Sequence, residues 1–274
     1  MAENKDLLHQ LINQSPVDYS LITQERTAKL DLLIHLLSNS NRPVVLCGSK
    51  GVGKTTLLNV FQQWRNALWQ TCLIQGRADV SLEQIQTRLT EFCLLSQTLG
   101  DFFEQLAAQH KKIVLIIDDA GSLAPCLINA IIDYSAAHSV LNVIFVLTHD
   151  DLAIKNRSDH AIEDSHIIEI PPLSEQQCGD FLQHLAIKSR LNVPIHSITD
   201  DMIAELYQKT HGIPEQIIAE LPTLIRPKKK SKIMGGLVIV LLVLIVAWAV
   251  MTVWSKNTLS FASISSLFSS LITH

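Results

Sequence analysis

Three groups of residues have types and spacing suited to phosphate chemistry. The first is Gly48-Ser49-Lys50-Gly51-Val52-Gly53-Lys54-Thr55-Thr56, which fits Gly-x-x-x-x-Gly-Lys-Thr and follows the apolar run Val44–Cys47. Glycines let such a backbone turn tightly, so that its N–H groups face an anion at the start of a helix whose dipole favours negative charge. Lys54 is then placed to bridge the β- and γ-phosphates of a nucleotide, and Thr55 to offer its hydroxyl to Mg²⁺. The second group is Asp118-Asp119, which ends the apolar run 113–117. A carboxylate at the end of a neighbouring strand is what a Mg²⁺ shell requires. Asp118 is therefore assigned to the metal, and Asp119 to orienting and deprotonating an attacking water. Two acids after a strand could equally cap a helix or close a turn, but their distance of one β-α unit from the loop favours the chemical role. The third is Thr148, after the run Asn142–Leu147, whose hydroxyl could reach the γ-phosphate or the water; the simpler alternative is a turn hydroxyl.

These residues need a scaffold, and the chain has the composition to build one. Its 274 residues are 47% hydrophobic and 18% charged, which excludes a disordered or low-complexity protein. Five scattered cysteines without a Cys-x-x-Cys pair argue against a disulfide framework or a zinc ribbon. Strands are predicted at Val44–Cys47, Thr71–Gln75, 113–118, Asn142–Leu147 and His166–Ile170. Helices are predicted at Thr56–Leu68, at Ser81–Gln109 with a break near Gly100, and at Leu123–Ala137. Alternation of this kind describes an α/β fold, a five-stranded parallel sheet covered on both faces. Beyond Pro172 the pattern is helical: Ser174-Glu-Gln-Gln reads as a capping box, another helix starts at Asp200, and Gly212-Ile-Pro214 interrupts before Glu215–Leu221. The expected layout is a helical lead-in at 1–24, the α/β core at 25–172, a helical lid at 173–222 and a basic linker at 223–232.

Ile233–Trp254 then runs 22 residues without a charge, enough to cross a hydrocarbon core. All 26 acidic residues and all but six of the 22 basic ones precede residue 226. Arg226, Lys228, Lys229, Lys230 and Lys232 crowd just before the apolar run, with Lys256 alone after it, so the positive-inside rule puts the N-terminal body in the cytoplasm. No secretory signal is expected in the polar start. Residues 255–274, rich in serine, form a short tail on the far side. An acidic body is a poor polyanion binder, so nucleic acid is not an expected partner. The eleven histidines show no metal-protease spacing.

The pieces Gly48–Thr55, Ile117–Ala120, Val146–Thr148, Ile168–Ser174 and Thr210–Pro214 together resemble the AAA+ ATPases. The resemblance is strongest to the bacterial membrane-anchored group that includes the ExeA/GspA secretion ATPases and the ATPase-bearing DamX-like proteins. It implies ATP and Mg²⁺ as ligands, the five-stranded sheet plus lid, a bacterial inner-membrane location with one span, and a homo-oligomer serving an envelope protein in secretion or division. It also implies an arginine finger from a neighbouring subunit. Arg157, in an expected loop at 155–158, and Arg190, in the lid, could serve; each could equally be a solvated surface charge.

The chain departs from that group in three places. Asp119 replaces the usual Glu, a shorter reach that costs about 10²-fold in positioning. Glu215 stands where an arginine commonly meets the γ-phosphate, and would repel it. No cell-wall module is expected in 255–274. Two readings follow: a tail-anchored ATPase, or a scaffold in the membrane bilayer that binds nucleotide without turning it over. ATP-driven work on DNA is a third, weakened by the acidic body.

Overall fold

The apolar runs become five strands, β1 (Val44–Cys47), β2 (Trp69–Gln75), β3 (Lys112–Asp118), β4 (Leu141–Leu147) and β5 (His166–Glu169). All pair in parallel, in the spatial order β2-β3-β4-β1-β5. Val44 lies opposite Ile144 on one side and His166 on the other, and Leu115 lies opposite Val143. The expected neighbour relation between β1 and β3 is thereby corrected: β4 stands between them. The computed structural model describes residues 23–63, 68–91, 98–187 and 198–225, together with Leu244, Ile245, Val246, Trp248 and Met251.

Successive residues of a strand point to opposite faces, and both faces of the inner strands are covered, which is why β1, β3 and β4 are apolar nearly throughout, while the edge strands β2 and β5 mix in polar, exposed residues. Val45, Leu115, Ile117, Val143 and Phe145 join one core with Ile85 and Leu89 of α3 (Leu82–Thr90), Phe102, Phe103 and Leu106 of α4 (Leu99–Ala108), and Ile128 and Ile131 of α5 (Leu127–Ala136). Val44, Leu46, Val114, Ile116, Ile144 and Val146 face the other side. There they meet Leu30, Leu33 and Leu37 of α1 (Gln24–Asn39), and Leu57, Leu58 and Phe61 of α2 (Lys54–Gln63). After β4 comes α6 (His149–Ser158), and after β5 the helices α7 (Glu175–Ile187), α8 (Asp200–Thr210) and α9 (Pro214–Ile225). Those last three form a third core of their own around Leu173, Phe181, Leu182, Leu206, Ile217 and Leu221.

Several boundaries differ from expectation, each for a local reason. The helix after the loop begins at Lys54, and Leu68 lies outside it, half-exposed rather than packed. The expected break near Gly100 is present, set by a cap rather than by the glycine: one helix ends at Thr90, and extended Thr98 caps α4, its hydroxyl accepting from Asp101 N–H while Asp101 reaches back, so that Gly100 lies in the first turn. Residues 155–157, expected in a loop, are helical within α6, because Thr148 and Asp151 form a capping box at its start. The Ser174 capping box is present, with Ser174 N–H donating to Gln177 Oε1 at 2.9 Å and Gln177 N–H to Ser174 Oγ at 3.2 Å.

The chain divides into two units, Met1–Ile225 and Arg226–His274. Among the described residues no helix is long and apolar enough to cross a membrane. The expected lead-in up to residue 22, Arg190, residues 226–232 of the linker and the tail 255–274 lie outside the described residues. So does most of the expected span at 233–254, whose five described residues are helical and more than half exposed.

Candidate functional site

A cleft of about 780 Å³ opens at the carboxyl ends of β1, β3 and β4, where ligands of open parallel sheets bind. Its walls include Ser49, Lys50, Gly51, Lys54 and Thr55 from the loop, Asp118 and Asp119 from the end of β3, and Thr148 after β4. Sequence reasoning thus named most of the wall. Of the remaining expected residues, Gly48, Val52, Gly53 and Thr56 frame the loop without lining the cleft, and Val52 is fully buried. Arg157 is exposed in the last turn of α6 and is not part of the wall.

The loop is braced from within. Lys54 Nζ donates to the Gly48 carbonyl at 2.7 Å and to the Ser49 carbonyl at 3.0 Å. Burial pushes the Lys54 pKa below that of an ordinary lysine, against the pull of Asp118, Asp151 and Asp119, which hold the ammonium charged. Thr55 Oγ1 donates to Asp118 Oδ2 at 3.0 Å, so loop and strand end meet even though β4 separates their strands. These are two hard oxygen donors side by side, one of them anionic, the ligand chemistry that suits Mg²⁺ with water completing its shell. Asp118 also accepts the Asp119 N–H on its other oxygen at 3.0 Å.

Asp119 adopts left-handed backbone angles, φ 56° and ψ 41°, a conformation that Asp tolerates better than most side chains. The kink ends β3 and starts the turn Ala120–Ser122, and Ser122 Oγ donates to Asp119 Oδ2 at 3.3 Å. That turn is pinned from below: Lys155 of α6, almost fully buried, donates its ammonium to the Leu123 carbonyl. Gly76, just after β2, donates to the Asp118 carbonyl at 2.7 Å and completes the clamp.

Thr148 caps α6. Its hydroxyl donates to Asp151 Oδ2 at 2.5 Å and accepts from Asp151 N–H at 3.1 Å. It therefore stands on the cleft wall with its hydroxyl engaged in the cap. Four polar wall residues went unassigned in the sequence, Gln75, His149, Asp150 and Asp151, along with the apolar Val146 and Leu147. Thr148-x-x-Asp151 was a legible capping signal, whereas Gln75 at the end of β2 carried none. His149 Nε2 lies 3.1 Å from Glu169 Oε1, an exposed pairing at the ends of β4 and β5, whose strands flank β1. The wall thus carries Asp118, Asp119, Asp150 and Asp151 against Lys50 and Lys54. Such a balance favours a phosphate chain that arrives with a divalent cation over one that arrives bare.

The lid also reaches the loop. Leu173 N–H donates to the Gly212 carbonyl at 2.8 Å, and Glu215 N–H to the Gly51 carbonyl at 3.3 Å. A Cβ placed on Gly51 would lie 2.7 Å from Glu215 Cβ and closer still to its carboxylate. Glu215, expected to disfavour a terminal phosphate, is therefore packed directly on the phosphate loop.

Fold and site together define a P-loop nucleoside-triphosphatase domain. Residues 37–153, a little under half of the chain, match the family model described as an AAA domain. Among solved structures, Cdc6p of Pyrobaculum aerophilum is similar with a TM-score of 0.53 at 18% identity, over 77% of this chain and 62% of that one. The ORC2 protein of Aeropyrum pernix, solved as ADPNP–ADP complexes, is similar with a TM-score of 0.53 at 12% identity, over 76% of this chain and 63% of that one. A Walker-type ATPase of Pyrococcus abyssi follows with a TM-score of 0.51 at 17% identity, over 85% of this chain and 78% of that one. At such identities the likeness is one of fold. The chain spans a little under two thirds of the Cdc6p and ORC2 chains. No curated protein sequence matches it.

Proposed function

We propose that the chain is a membrane-anchored ATPase that binds ATP with Mg²⁺ and hydrolyses it slowly, using the cycle to assemble or switch an envelope-associated partner. The observation that carries the nucleotide part is the 3.0 Å bond from Thr55 to Asp118, which joins the phosphate loop to the acidic strand end on one cleft wall. Mg²⁺ held by Thr55 and Asp118 would neutralise charge on the phosphate oxygens. Lys54 exchanges its two carbonyl partners for the β- and γ-phosphates. Asp119 orients the attacking water and takes its proton as the oxygen reaches the γ-phosphorus. Its reach is one methylene shorter than a glutamate's, which sets the turnover about 10²-fold below that of a fully positioned base. Thr148 holds the start of α6 beside that water.

Anchoring rests on the uncharged run 233–254 and the basic residues before it. In this reading the protein sits in a bacterial inner membrane, with residues 1–225 in the cytoplasm and 255–274 on the far side. Kinship with the ExeA/GspA-like and DamX-like group is part of the same proposal. In its support, two of the five pieces that carry that resemblance, Ile168–Ser174 and Thr210–Pro214, meet through the Leu173–Gly212 hydrogen bond. A homo-oligomer would bring Arg157 of one subunit to the cleft of the next. Adenine is the base expected, in keeping with the ADPNP and ADP of the A. pernix protein.

A second reading, a nucleotide-holding scaffold without turnover, is favoured by Glu215 on Gly51 and by the tie between Asp119 and Ser122. Phosphate release by the purified full chain at several concentrations separates the two, with Lys54→Ala and Asp119→Ala as controls. Turnover that rises with concentration and disappears in both variants supports the oligomeric ATPase. Lys54-dependent binding of ATP without any phosphate release removes hydrolysis and leaves the scaffold. Labelling of a cysteine introduced near His274 from the cytoplasmic side alone would sink the topology.

A further inference from the structure

Gly53 has φ +104°, and among the described residues, its chain neighbours aside, the atoms within 4 Å of a Cβ placed there are Arg26 Nη1 at 3.1 Å and Arg26 Cζ at 3.8 Å. Glycine occurs where a backbone must let another group come close, and in a phosphate loop that group is the ligand. The space that Gly53 leaves open is filled here by a guanidinium.

Arg26 is held there from two sides. Its backbone N–H donates to Thr23, the N-cap of α1, at 3.3 Å, which fixes the first turn of the helix. Its Nη2 donates to the Pro171 carbonyl, just after β5, at 3.3 Å. Arginine has five N–H donors, and among the described residues Pro171 is its one side-chain acceptor. No carboxylate among them lies within ion-pair distance. The adjacent Glu25 is exposed and accepts from Gln177 Nε2 at 3.3 Å. Burial lowers the Arg26 pKa and Glu25 offsets only part of that, as expected for a partly desolvated cation awaiting an anion.

We infer that Arg26 is a phosphate-binding residue: its guanidinium contacts the α/β part of the phosphate chain where that chain passes over Gly53. This rests on the nucleotide-binding reading above and adds to it a ligand from α1. The end of the chain that Arg26 serves follows from the cleft. Gly51, Lys54 and Thr55 are walls of the cleft that holds Asp118 and Asp119, while Gly53 and Arg26 are not. The guanidinium therefore acts away from the metal and γ-phosphate end, and it senses ATP and ADP alike. Planar N–H pairs match phosphate oxygens in a fork that an ammonium cannot reproduce.

The test is calorimetric titration of the purified full chain with ATP, ADP, inorganic pyrophosphate and adenosine. Wild type is compared with Arg26→Gln, Arg26→Ala, Arg26→Lys and Lys54→Ala. Gln keeps the arginine stem through Cδ and a polar end while removing the guanidinium, so it remains informative if the Ala variant fails to fold. Roughly 10- to 100-fold weaker binding of pyrophosphate, ATP and ADP is expected in Arg26→Gln, by the same factor for both nucleotides, with partial recovery in Arg26→Lys. Wild-type affinity for all three in Arg26→Gln, beside lost binding in Lys54→Ala, overturns the assignment and leaves the nucleotide site standing. A loss for adenosine but not for pyrophosphate also overturns it, since the contact would then be to the base. Absence of any nucleotide binding by the wild type removes both claims together.

Discussion

The two halves of the nucleotide site are built on different amounts of core. Lys54, Thr55, Asp118 and Asp119 ride on β1 and β3, whose residues Val44, Val45, Leu46, Ile116 and Ile117 are 0% exposed and packed between two helical layers. Glu215 rides on α9, which belongs to a separate and smaller core of residues from α7, α8 and α9. Among the described residues one backbone hydrogen bond joins the lid to the loop, from Glu215 N–H to the Gly51 carbonyl, while Leu173 to Gly212 ties the lid to itself. The half that positions metal and phosphate thus cannot move without opening a continuous sheet. The half that places a negative charge on the loop rests on the smaller core and is expected to open at lower cost. Elements that gate ligands are drawn from the less stable parts of a fold, and here that part carries the unfavourable charge. Binding chemistry and access are therefore divided between two cores.

The largest effect that would expose this division is Lys54→Ala. It removes the ammonium that braces Gly48 and Ser49, and should weaken ATP binding by about 100-fold or more while leaving hydrogen exchange in α8 and α9 unchanged. Next comes Gly212→Val. Gly212 has φ +73° and stands against the Leu173 backbone, so a side chain there costs about 1–2 kcal/mol in conformation alone, with a collision added. Amides of α8 and α9 should exchange faster while those of β3 and β4 keep their protection. Equal loss in both would mean the halves open as one.

Glu215→Gln is smaller and of opposite sign. Removing the carboxylate beside Gly51 should tighten ATP binding by about fivefold to tenfold, and ADP by less, because Gly51 lines the cleft with Asp118 and Asp119, where the proposed reading puts the γ-phosphate. Equal gains for ATP and ADP would place Glu215 away from that end. The mildest test uses the cysteines. Burial pushes Cys72 in β2 and Cys178 in α7 each up to about 11, from 9.0. The folded chain keeps both thiols protonated where the unfolded chain would release the protons, so stability falls as pH rises from 9 toward 11. Denaturant midpoints across that window check the sign. At neutral pH, alkylation should reach exposed Cys126 first, then Cys178 through lid opening, then Cys72. Identical rates for Cys178 and Cys72 would break the comparison.

Much of the site was legible because its signals are local. Gly48–Thr55 needs only its own glycines and the helix it starts, and the apolar runs of β1, β3 and β4 suffice to announce strands buried on both faces. The start of α6 is equally local, in Thr148 and Asp151, yet the residue type alone suggests a hydroxyl for phosphate, water or a turn, and the cap shows only in the structure. Leu68 carried the right residue type for core and yet lies past the end of α2, because periodicity does not show where a helix stops.

Composition and spacing alone determined that this chain has a phosphate loop, an acidic strand end and alternating strands and helices, since each depends on residues adjacent in the chain or one turn apart. Only the tertiary structure decided that β4 lies between β1 and β3, and that Thr55 nonetheless meets Asp118. It alone decided that the loop glycines Gly51 and Gly53 are covered by Glu215 from the lid and Arg26 from the first helix. The physical reason is that side chains far apart in sequence meet through how layers pack on a sheet, and that packing is set by the sum of buried surfaces, with no local pattern to announce which pairs will touch.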